Sequence, residues 1–488
     1  MSDALVEHLA AGTGRREGLP HDDALVGEIL AREGLREISL LLALGARAIE
    51  RKAGFVPARD IAIGEPAPTD ARKPSRPNAA RLMSDMLSGV HDALLPEALD
   101  REARAGRRLP HALIAAALSA TRREIRAKIL PVLGERGRWV AAQDPAFSWA
   151  VELAPDIDTL AAIWTEGGAG PRVEALAKAR AIAPSAARAW LESTWATEKA
   201  DDRTLFVHAL AIGLTAEDEP FLESTLDDRS SRVRATAHEL LARIPGSKFV
   251  ARMRDRSILK RTKTGFAVSD PPPDPRDHLT SGPELRSLRV LAVITATPLV
   301  DHQLRLEATP LEIVSWARKT HEAAALAEGW TRAAAREKNV EWAEALWDFW
   351  IAATEKIADE AVTRACLLAL IALLPGPQAV RRVIDVLEKA AESRPVAAFL
   401  LALPQPWPAL LTDKYLAAVL RAQDSTDSRA TELMSALAHA VRSFAPDDLP
   451  RALAALPEGG GRGPWRHSLA EAQNLIALRR EILEETKP

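Results

Sequence analysis

The sequence has little of several residue types that would point to particular classes of protein. Among its 488 residues there is one cysteine, Cys366, and one tyrosine, Tyr415, and aromatic residues make up only 5% of the chain. A single cysteine cannot form an internal disulfide, and its place in the apolar run Ala365-Cys366-Leu367-Leu368 predicts a buried, inert side chain. Aromatic and β-branched residues favour strands, so the shortage of aromatics disfavours a β-sheet core.

Long apolar runs and an excess of one charge are also missing. The longest apolar run, residues 365–374, is half the roughly 20 residues that a membrane-spanning helix needs. Residues 1–7 carry acids and lack the basic segment of a secretory signal, so a cytoplasmic protein without a membrane span is expected. The net charge of −3 gives the whole chain no attraction to nucleic acid or to an anionic membrane.

What the chain does contain favours helices. Hydrophobic residues make up 47% and charged residues 27%, which is enough apolar material for a folded protein. Most of the apolar material is Ala and Leu, which are strong helix formers. A chain of this length exceeds one ordinary core, so several domains or an array of repeats is expected.

Two proline-rich stretches interrupt the helical pattern, at residues 54–78 and 264–283. Proline at this density does not fit helix interiors, so both stretches are predicted to be extended linkers. They divide the chain into an N-terminal helical segment at 1–53, a middle helical block at 79–263 and a C-terminal helical block at 284–488.

The clearest amphipathic helix is predicted from Ser230 to Arg243. At a helical rotation of about 100° per residue, its large apolar side chains fall on one face, and Arg232, Glu239 and Arg243 fall on the opposite face. Ser230 is a candidate N-cap, and Pro245-Gly246 ends the pattern.

Similar patterns predict further helices separated by short turns, with Thr215 as a cap of one and Pro131 as a kink in another. These helices are expected at Leu109–Ala120, Arg122–Leu133, Ser185–Ala196, Asp202–Gly213, Glu217–Leu226, Glu341–Ala353, Asp359–Leu374, Gln378–Glu392, Thr412–Ala422 and Ser428–Ser443. Short turns favour antiparallel neighbours. The predicted fold class is all-α, a HEAT-like α-solenoid of antiparallel helix pairs, with a compact multi-helix bundle as the alternative.

Several segments carry a family resemblance. The run Asp227-Asp228-Arg229-Ser230-Ser231-Arg232-Val233-Arg234 resembles a HEAT repeat, with an aspartate in the turn and a Val-Arg pair opening the second helix. The segments Leu130–Val140, Asp218–Leu222 and Asp227–Arg254 together resemble an uncharacterised bacterial all-helical family. Genes of that family are often found near MoxR-type AAA+ ATPases and von Willebrand A-domain proteins. The resemblance implies a scaffold or partner role beside such a machine, and it supplies no catalytic residue.

Two basic clusters are candidates for binding. Residues 101–138 hold ten Arg or Lys against three acids, and residues 227–263 hold eleven against four, a surplus of seven in each. Such clusters on stacked helices can hold a phosphate backbone or an acidic protein surface, or the arginines can pair with acids on neighbouring helices. Only Asp255 opposes the last basic stretch locally. The predicted binding residues are therefore Arg252, Arg254, Arg256, Lys260, Arg261 and Lys263.

Nothing in the sequence predicts a catalytic or metal site. The histidines are scattered, no His or Cys spacing suits zinc, and no cofactor motif is present. The aromatic run Trp342–Trp350 has helical spacing, which is typical of core packing, and Trp190 and Trp195 are interpreted in the same way.

Two functions follow from these patterns. The first is a non-enzymatic scaffold or adaptor that binds a partner protein, such as a MoxR-type ATPase or a von Willebrand A-domain protein. The second is a nucleic-acid-binding helical protein that uses the clusters at 101–138 and 227–263, with Trp139 and Trp149 close to the first. An enzyme with an unrecognised site is a third, weaker hypothesis.

Overall fold

The computed structural model describes most of the chain. The described residues are 29, 36–53, 65–151, 156–274, 276–277, 279, 282, 285–353, 357–388, 396–457, 459 and 462–487. They divide into two compact units, Met1–Pro68 and Thr69–Pro488. The predicted linker at 54–78 spans this division, whereas the predicted linker at 264–283 lies inside the second unit.

The fold is all-α, as predicted: the described residues form twenty-five α-helices and one short β-hairpin. In chain order the helices are α1 (Arg36–Ala53), α2 (Pro77–Leu87), α3 (Leu95–Arg104), α4 (Ile114–Leu118), α5 (Arg123–Ile129), α6 (Gly134–Ala142), α7 (Ile157–Glu166), α8 (Ala169–Ile182), α9 (Pro184–Thr194), α10 (Ala200–Ala209), α11 (Glu219–Thr225), α12 (Ser231–Arg243), α13 (Lys248–Arg256), α14 (Arg286–Ala296), α15 (Leu299–Leu306), α16 (Pro310–Ala317), α17 (Ala323–Glu337), α18 (Val340–Ile351), α19 (Glu360–Leu373), α20 (Gly376–Glu388), α21 (Val396–Ala402), α22 (Ala409–Ala422), α23 (Ser428–Ser443), α24 (Leu449–Ala455) and α25 (Pro464–Glu485). The hairpin strands are β1 (Leu259–Thr262) and β2 (Gly265–Val268).

Local chemistry explains where many of these helices begin and end. Helix α12 starts after Ser230, whose side-chain oxygen accepts a hydrogen bond from the backbone N–H of Val233, as the predicted N-cap requires. Thr215 forms the predicted cap before α11, in a capping box with Asp218. The predicted helix at Arg122–Leu133 stops being α-helical at Ile129, and a 3₁₀ turn containing Pro131 follows it.

Helices in the second unit contact their neighbours along the chain and also the helices two positions away. One series of helices is linked by contacts between successive members: α17, α19, α21, α23 and α25. A second series is linked in the same way: α20, α22 and α24. Contacts between adjacent helices, such as α22 with α23, join the two series. This arrangement buries the apolar stripe of each helix, since none could cover its own.

Aromatic side chains fill the core where these series meet. Trp342, Trp347 and Trp350 are buried, as the helical spacing of the aromatic run predicts. The indole N–H of Trp350 donates to the hydroxyl of Thr331 at 3.0 Å, which satisfies the one polar group of that side chain. Cys366 is buried in the same core, as predicted, and burial raises the pKa of its thiol to about 12.

The hairpin differs from the prediction, which contained no strand. Strand β2 lies inside the stretch 264–283, which was expected to be an extended linker. Some of the described residues after the hairpin are packed: Leu279 and Asp277 are buried, and Asp274 and Leu279 form an antiparallel bridge.

The first and last helices of the second unit contact each other. Helix α25 packs on α2, and the guanidinium of Arg479 donates to both carboxylate oxygens of Glu97 at 2.6 and 3.1 Å. Arg479 also donates to the carbonyls of Val441 and Phe444, both at 2.7 Å. These hydrogen bonds join α25 to the end of α23 and to Glu97 on α3.

Candidate functional site

Helix α13 carries three of the predicted binding residues, and each forms an ion pair with a carboxylate from elsewhere in the chain. Arg252 donates to Asp277 at 2.8 and 2.9 Å and to Glu223 at 3.1 Å. Arg256 donates to Asp277 at 2.8 Å and also pairs with Asp274. These ion pairs fasten the α13 helix to α11 and to the stretch that follows the hairpin.

The ionisation of this cluster fits a structural role. The hydrogen bonds that Arg252 donates to Asp277 raise the pKa of Arg252 above its ordinary value, against the opposing effect of burial. Burial alone would raise the pKa of Asp277, but the hydrogen bonds from Arg252 and Arg256 outweigh it and hold that pKa below its ordinary value. Both partners therefore stay charged and paired.

Arg254, the third of these residues, forms an ion pair with Asp301 at 2.6 Å. Its backbone carbonyl also accepts a hydrogen bond from Arg305 at 3.4 Å. Asp255 is the acid that lies within this basic stretch in the sequence. In the fold, Asp277, Glu223 and Asp301 from other parts of the chain also pair with its arginines. Binding by Arg252, Arg254 and Arg256 stays a prediction, and these contacts make it less favourable.

The other three predicted residues lie together on the hairpin. Lys260 and Arg261 belong to β1 and Lys263 to the turn, and all three are exposed. The register pairs Lys260 with Ala267 and Arg261 with Phe266 across the strands. Among the described residues, no carboxylate forms a salt bridge with any of the three.

Arg261 is held in place by stacking rather than by an ion pair. Its guanidinium lies 4.4 Å from the centre of the Trp316 ring, and it donates to the carbonyl of Gly265 at 3.1 Å. Gly265 has a φ of +153°, and a β-carbon there would lie only 3.2 Å from Trp316. Glycine at this position therefore lets the hairpin sit directly on the indole.

Large apolar side chains are exposed on the two helices that the hairpin contacts. Strand β1 packs against α15 and strand β2 against α16. On these helices Val300, Leu304 and Leu311 are 53%, 71% and 62% exposed. We call Lys260, Arg261, Lys263, Val300, Leu304 and Leu311 together the hairpin surface.

The first basic cluster, at 101–138, is extensively paired with acids. Arg107 pairs with the buried Glu102, and Lys128 pairs with Asp100 at 2.7 Å. Further pairs in the cluster join Arg101 to Glu97, Arg122 to Asp92 and Arg138 to Glu135. Arg126 instead lies 5.0 Å from the ring centre of Trp149. The pairing alternative raised for these arginines is the one that their contacts favour.

A buried ion pair occupies one of the segments that carried the family resemblance. Arg180 and Asp218 are fully buried, and their two hydrogen bonds measure 2.9 and 2.8 Å. Arg180 also donates to four backbone carbonyls, among them Pro184 and Gly213. Arg188 adds a third charged bond to Asp218 at 2.9 Å. This network joins α8, α9 and α11.

The other two segments also lie at structural junctions. Asp228 pairs with Arg203 on α10 at 3.0 Å and accepts a hydrogen bond from the N–H of Ser230. In the segment Leu130–Val140, the N–H of Glu135 donates to the carboxylate of Asp70 at 3.0 Å. Hydrogen bonds, chiefly from Arg72, lower the pKa of Asp70.

The described residues contain no group of three or more His, Cys, Asp or Glu side chains placed to hold a metal ion. No helix in that part of the chain has the length and apolarity to cross a membrane.

One family model matches residues 4–486, and its description is "Family of unknown function (DUF5691)". The chain belongs to this family. No curated protein matches the chain, and no solved structure matches it. The expectation of an uncharacterised, mostly helical family is thereby confirmed at that level.

The match to DUF5691 covers the hairpin surface and the buried ion pairs alike. Sequence reasoning found the three cations of this surface but missed Trp316 and the exposed apolar residues beside them. A signal for Val300 and Leu304 was present, because they are four residues apart and share a helical face. Leu299 and Leu306 on the same short helix are buried, so apolar spacing alone did not separate its two faces.

Proposed function

We propose that the chain is a non-enzymatic scaffold or adaptor that binds a partner protein through a surface of its helical stack. The observation that carries this proposal is the hairpin surface, where exposed leucines and unpaired cations lie side by side. Large exposed apolar groups beside polar ones are typical of protein-interaction sites.

The helical arrangement supports a surface-recognition role. Contacts between helices two positions apart are expected for a two-layered stack, and we propose that this stack is a HEAT-like solenoid. The contact between α25 and α2 gives some weight to the alternative, a compact bundle. In either arrangement, residues of the hairpin, α15 and α16 reach the surface.

The charge distribution favours a protein partner over nucleic acid. Phosphate binding needs several free cations on one face. The ion pairs of Arg101, Arg107, Arg252 and Arg256 instead place these side chains against carboxylates of the same chain. Nucleic-acid binding through the clusters 101–138 and 227–263 is the alternative function.

The resemblance suggests which partners to test first. We propose a MoxR-type ATPase or a von Willebrand A-domain protein encoded close to the gene of this chain, and a cytoplasmic site of action. The experiment is a titration of the purified full chain against each purified candidate, with duplex and single-stranded DNA as parallel ligands at low salt.

Saturable binding to one of these proteins, with weak or no retention of DNA, is the expected result. Tight DNA binding that falls steeply as salt rises, with no protein binding, would replace the proposal by the nucleic-acid alternative. Turnover of a small molecule by the purified chain would contradict the non-enzymatic assignment.

A further inference from the structure

The hairpin surface has a charge pattern that restricts what can dock on it. Lys260 and Lys263 have no carboxylate partner among the described residues, and Arg261 is held by an aromatic ring instead of an acid. Asp301 pairs with Arg254, and Glu312 accepts hydrogen bonds from Thr309 in the capping box of α16 and is also attracted electrostatically by Arg261. Lys260 and Lys263 are therefore the hairpin cations that are available to an outside anion.

Two exposed acids, Asp255 and Glu307, also lie near these elements, so the surface is not uniformly basic. The positive surplus is concentrated at the hairpin itself, between Lys260 and Lys263. A polyanion such as duplex DNA would meet cations at the hairpin but apolar side chains and acids beside it, so an extended phosphate backbone is poorly matched.

The apolar part of the hairpin surface favours hydrophobic contact rather than ion pairing. Val300 and Leu304 project from the same face of α15, one turn apart, and Leu311 opens the neighbouring α16. Burying such side chains removes apolar area from water, which stabilises a complex without regard to charge. A matching ligand must carry apolar side chains beside its acids.

We infer that the hairpin surface docks an acidic segment of a partner protein, with that segment's carboxylates on Lys260 and Lys263 and its apolar side chains on Val300, Leu304 and Leu311. This inference rests on the proposed function and specifies its site. Charge complementarity at the hairpin steers the encounter, and the leucines contribute most of the buried apolar area.

The test uses the full-length chain with a photo-crosslinking amino acid in place of Leu304, expressed in its native cell. The same amino acid in place of Leu205, which is exposed on α10, is the matched control. Cross-linked peptides are identified by mass spectrometry. The expected product at Leu304 is a protein segment rich in Asp and Glu with interspersed large apolar residues, and it should be absent from the Leu205 control.

Charge-reversal variants then test the cations directly. The pair Lys260→Glu and Lys263→Glu is compared with Arg104→Glu and Arg123→Glu, which reverse two exposed cations in the first basic cluster. A synthetic peptide with the cross-linked sequence is the probe. The hairpin variant is expected to bind it at least tenfold more weakly than wild type, and the control variant within about twofold of wild type.

Each other outcome overturns the inference. A basic segment, nucleic acid or a second copy of this chain cross-linked at Leu304 would assign the surface to another ligand. No cross-link at Leu304, while the purified chain still binds a partner protein, would remove this docking site and leave the proposed function standing. Equal peptide binding by the two variants would show that the hairpin cations take no part, and unchanged thermal unfolding of both excludes misfolding as the cause.

Discussion

At the scale of single residues, the cationic side chains of this chain divide into those that stabilise the fold and those that face solvent. Arg180 represents the first group, because it is fully buried and every one of its guanidinium nitrogens donates a hydrogen bond. Burying a charge is costly unless it is paired and hydrogen-bonded, so residues of this kind tolerate little change. Lys260 and Lys263, on the hairpin, represent the second group.

The buried pair gives the first prediction. Asp218→Ala would leave Arg180 buried without its counter-charge and is expected to lower the free energy of unfolding by about 3–5 kcal/mol. Asp413→Ala breaks the exposed Arg451–Asp413 pair and should cost less than about 1 kcal/mol. Urea unfolding of the two variants measures the difference, and equal small losses would contradict the structural role assigned to Asp218.

A second prediction concerns pH and His302. This side chain is buried, its Nε2 atom has no hydrogen-bond partner among the described residues, and burial, assisted by Arg305 and Arg336, lowers its pKa from 6.5 to about 3. The folded chain therefore holds fewer protons here than the unfolded chain. The contribution of neutral His302 to the free energy of unfolding is therefore fully present above pH 6.5 and is lost as the pH falls from 6.5 towards 3.

At about pH 5 this one group should remove about 2 kcal/mol from the free energy of unfolding. His302→Gln does not titrate, so it should lose less stability than wild type between about pH 7.5 and pH 5, by about that amount. Urea unfolding at both values measures it. If wild type and variant lose the same stability, the pKa of His302 is not displaced by folding.

At this scale the sequence predicted burial well and pairing poorly. Cys366 and the tryptophans of the run 342–350 are buried as their apolar context and spacing indicate. The partners of Arg252 could not be predicted, because Asp277 is 25 residues away and reaches Arg252 only through the fold. Local charge counting therefore overstated how many arginines are free.

At the scale of elements, helix termini followed the chemistry of their capping residues, whereas the hairpin escaped prediction. Helix α23 has the predicted bounds, Ser428–Ser443, and Asp427 caps it. Strand β2 consists of Gly265-Phe266-Ala267-Val268, which is too short for an alternating pattern to be recognised. It also adjoins the proline cluster at 271–273, which suggested a linker.

Gly265 gives the third prediction. Gly265→Ala places a methyl group 3.2 Å from Trp316 at a φ unfavourable for L-residues, and it is expected to cost about 1–3 kcal/mol of stability. Gly45, in the interior of α1, has open space around its α-carbon, so Gly45→Ala should stabilise that helix by about 0.5–1 kcal/mol. Thermal unfolding should therefore shift in opposite directions. A neutral Gly265→Ala would contradict the close packing of the hairpin on Trp316.

At the scale of the second unit, the contact between its first and last helices is held by a few buried polar groups. Arg479 joins α25 to Glu97 and to the end of α23. Arg107 donates to the carbonyl of Glu485 at 3.2 Å, and Asn78 donates to the carboxylate of Glu481 at 3.0 Å. These partners lie about 400 residues apart in sequence, so no local pattern could predict them.

This contact gives the fourth prediction. Arg479→Met would leave the carbonyls of Val441 and Phe444 without their donor and Glu97 with Arg101 as a remaining partner, and it should cost about 1–3 kcal/mol. Amide hydrogen exchange is expected to rise in α2 and α25 more than in α12, because the loss is local to the joined ends. Arg480→Met, at the exposed neighbouring position, is the control and should leave exchange unchanged. Uniform exchange in all helices of the Arg479 variant would contradict a local fastening.

The residues that hold the helices together differ from those that are free to contact a partner protein. The segments that carried the family resemblance contain Asp218 and Asp228, and both are engaged in ion pairs between helices. They explain the fold of this DUF5691 chain rather than its ligand. The hairpin surface is a part of the second unit whose exposed cations and apolar side chains are not accounted for by folding.

The most direct measurement of that claim is a charge-swap titration between the chain and the acidic segment that cross-links at Leu304. Lys260→Glu with Lys263→Glu should weaken binding, and changing the facing acids of the segment to lysine should restore most of it. Restoration by the swapped pair is the predicted result. If the swapped segment binds the variant no better than the original segment does, the hairpin is not where the partner docks.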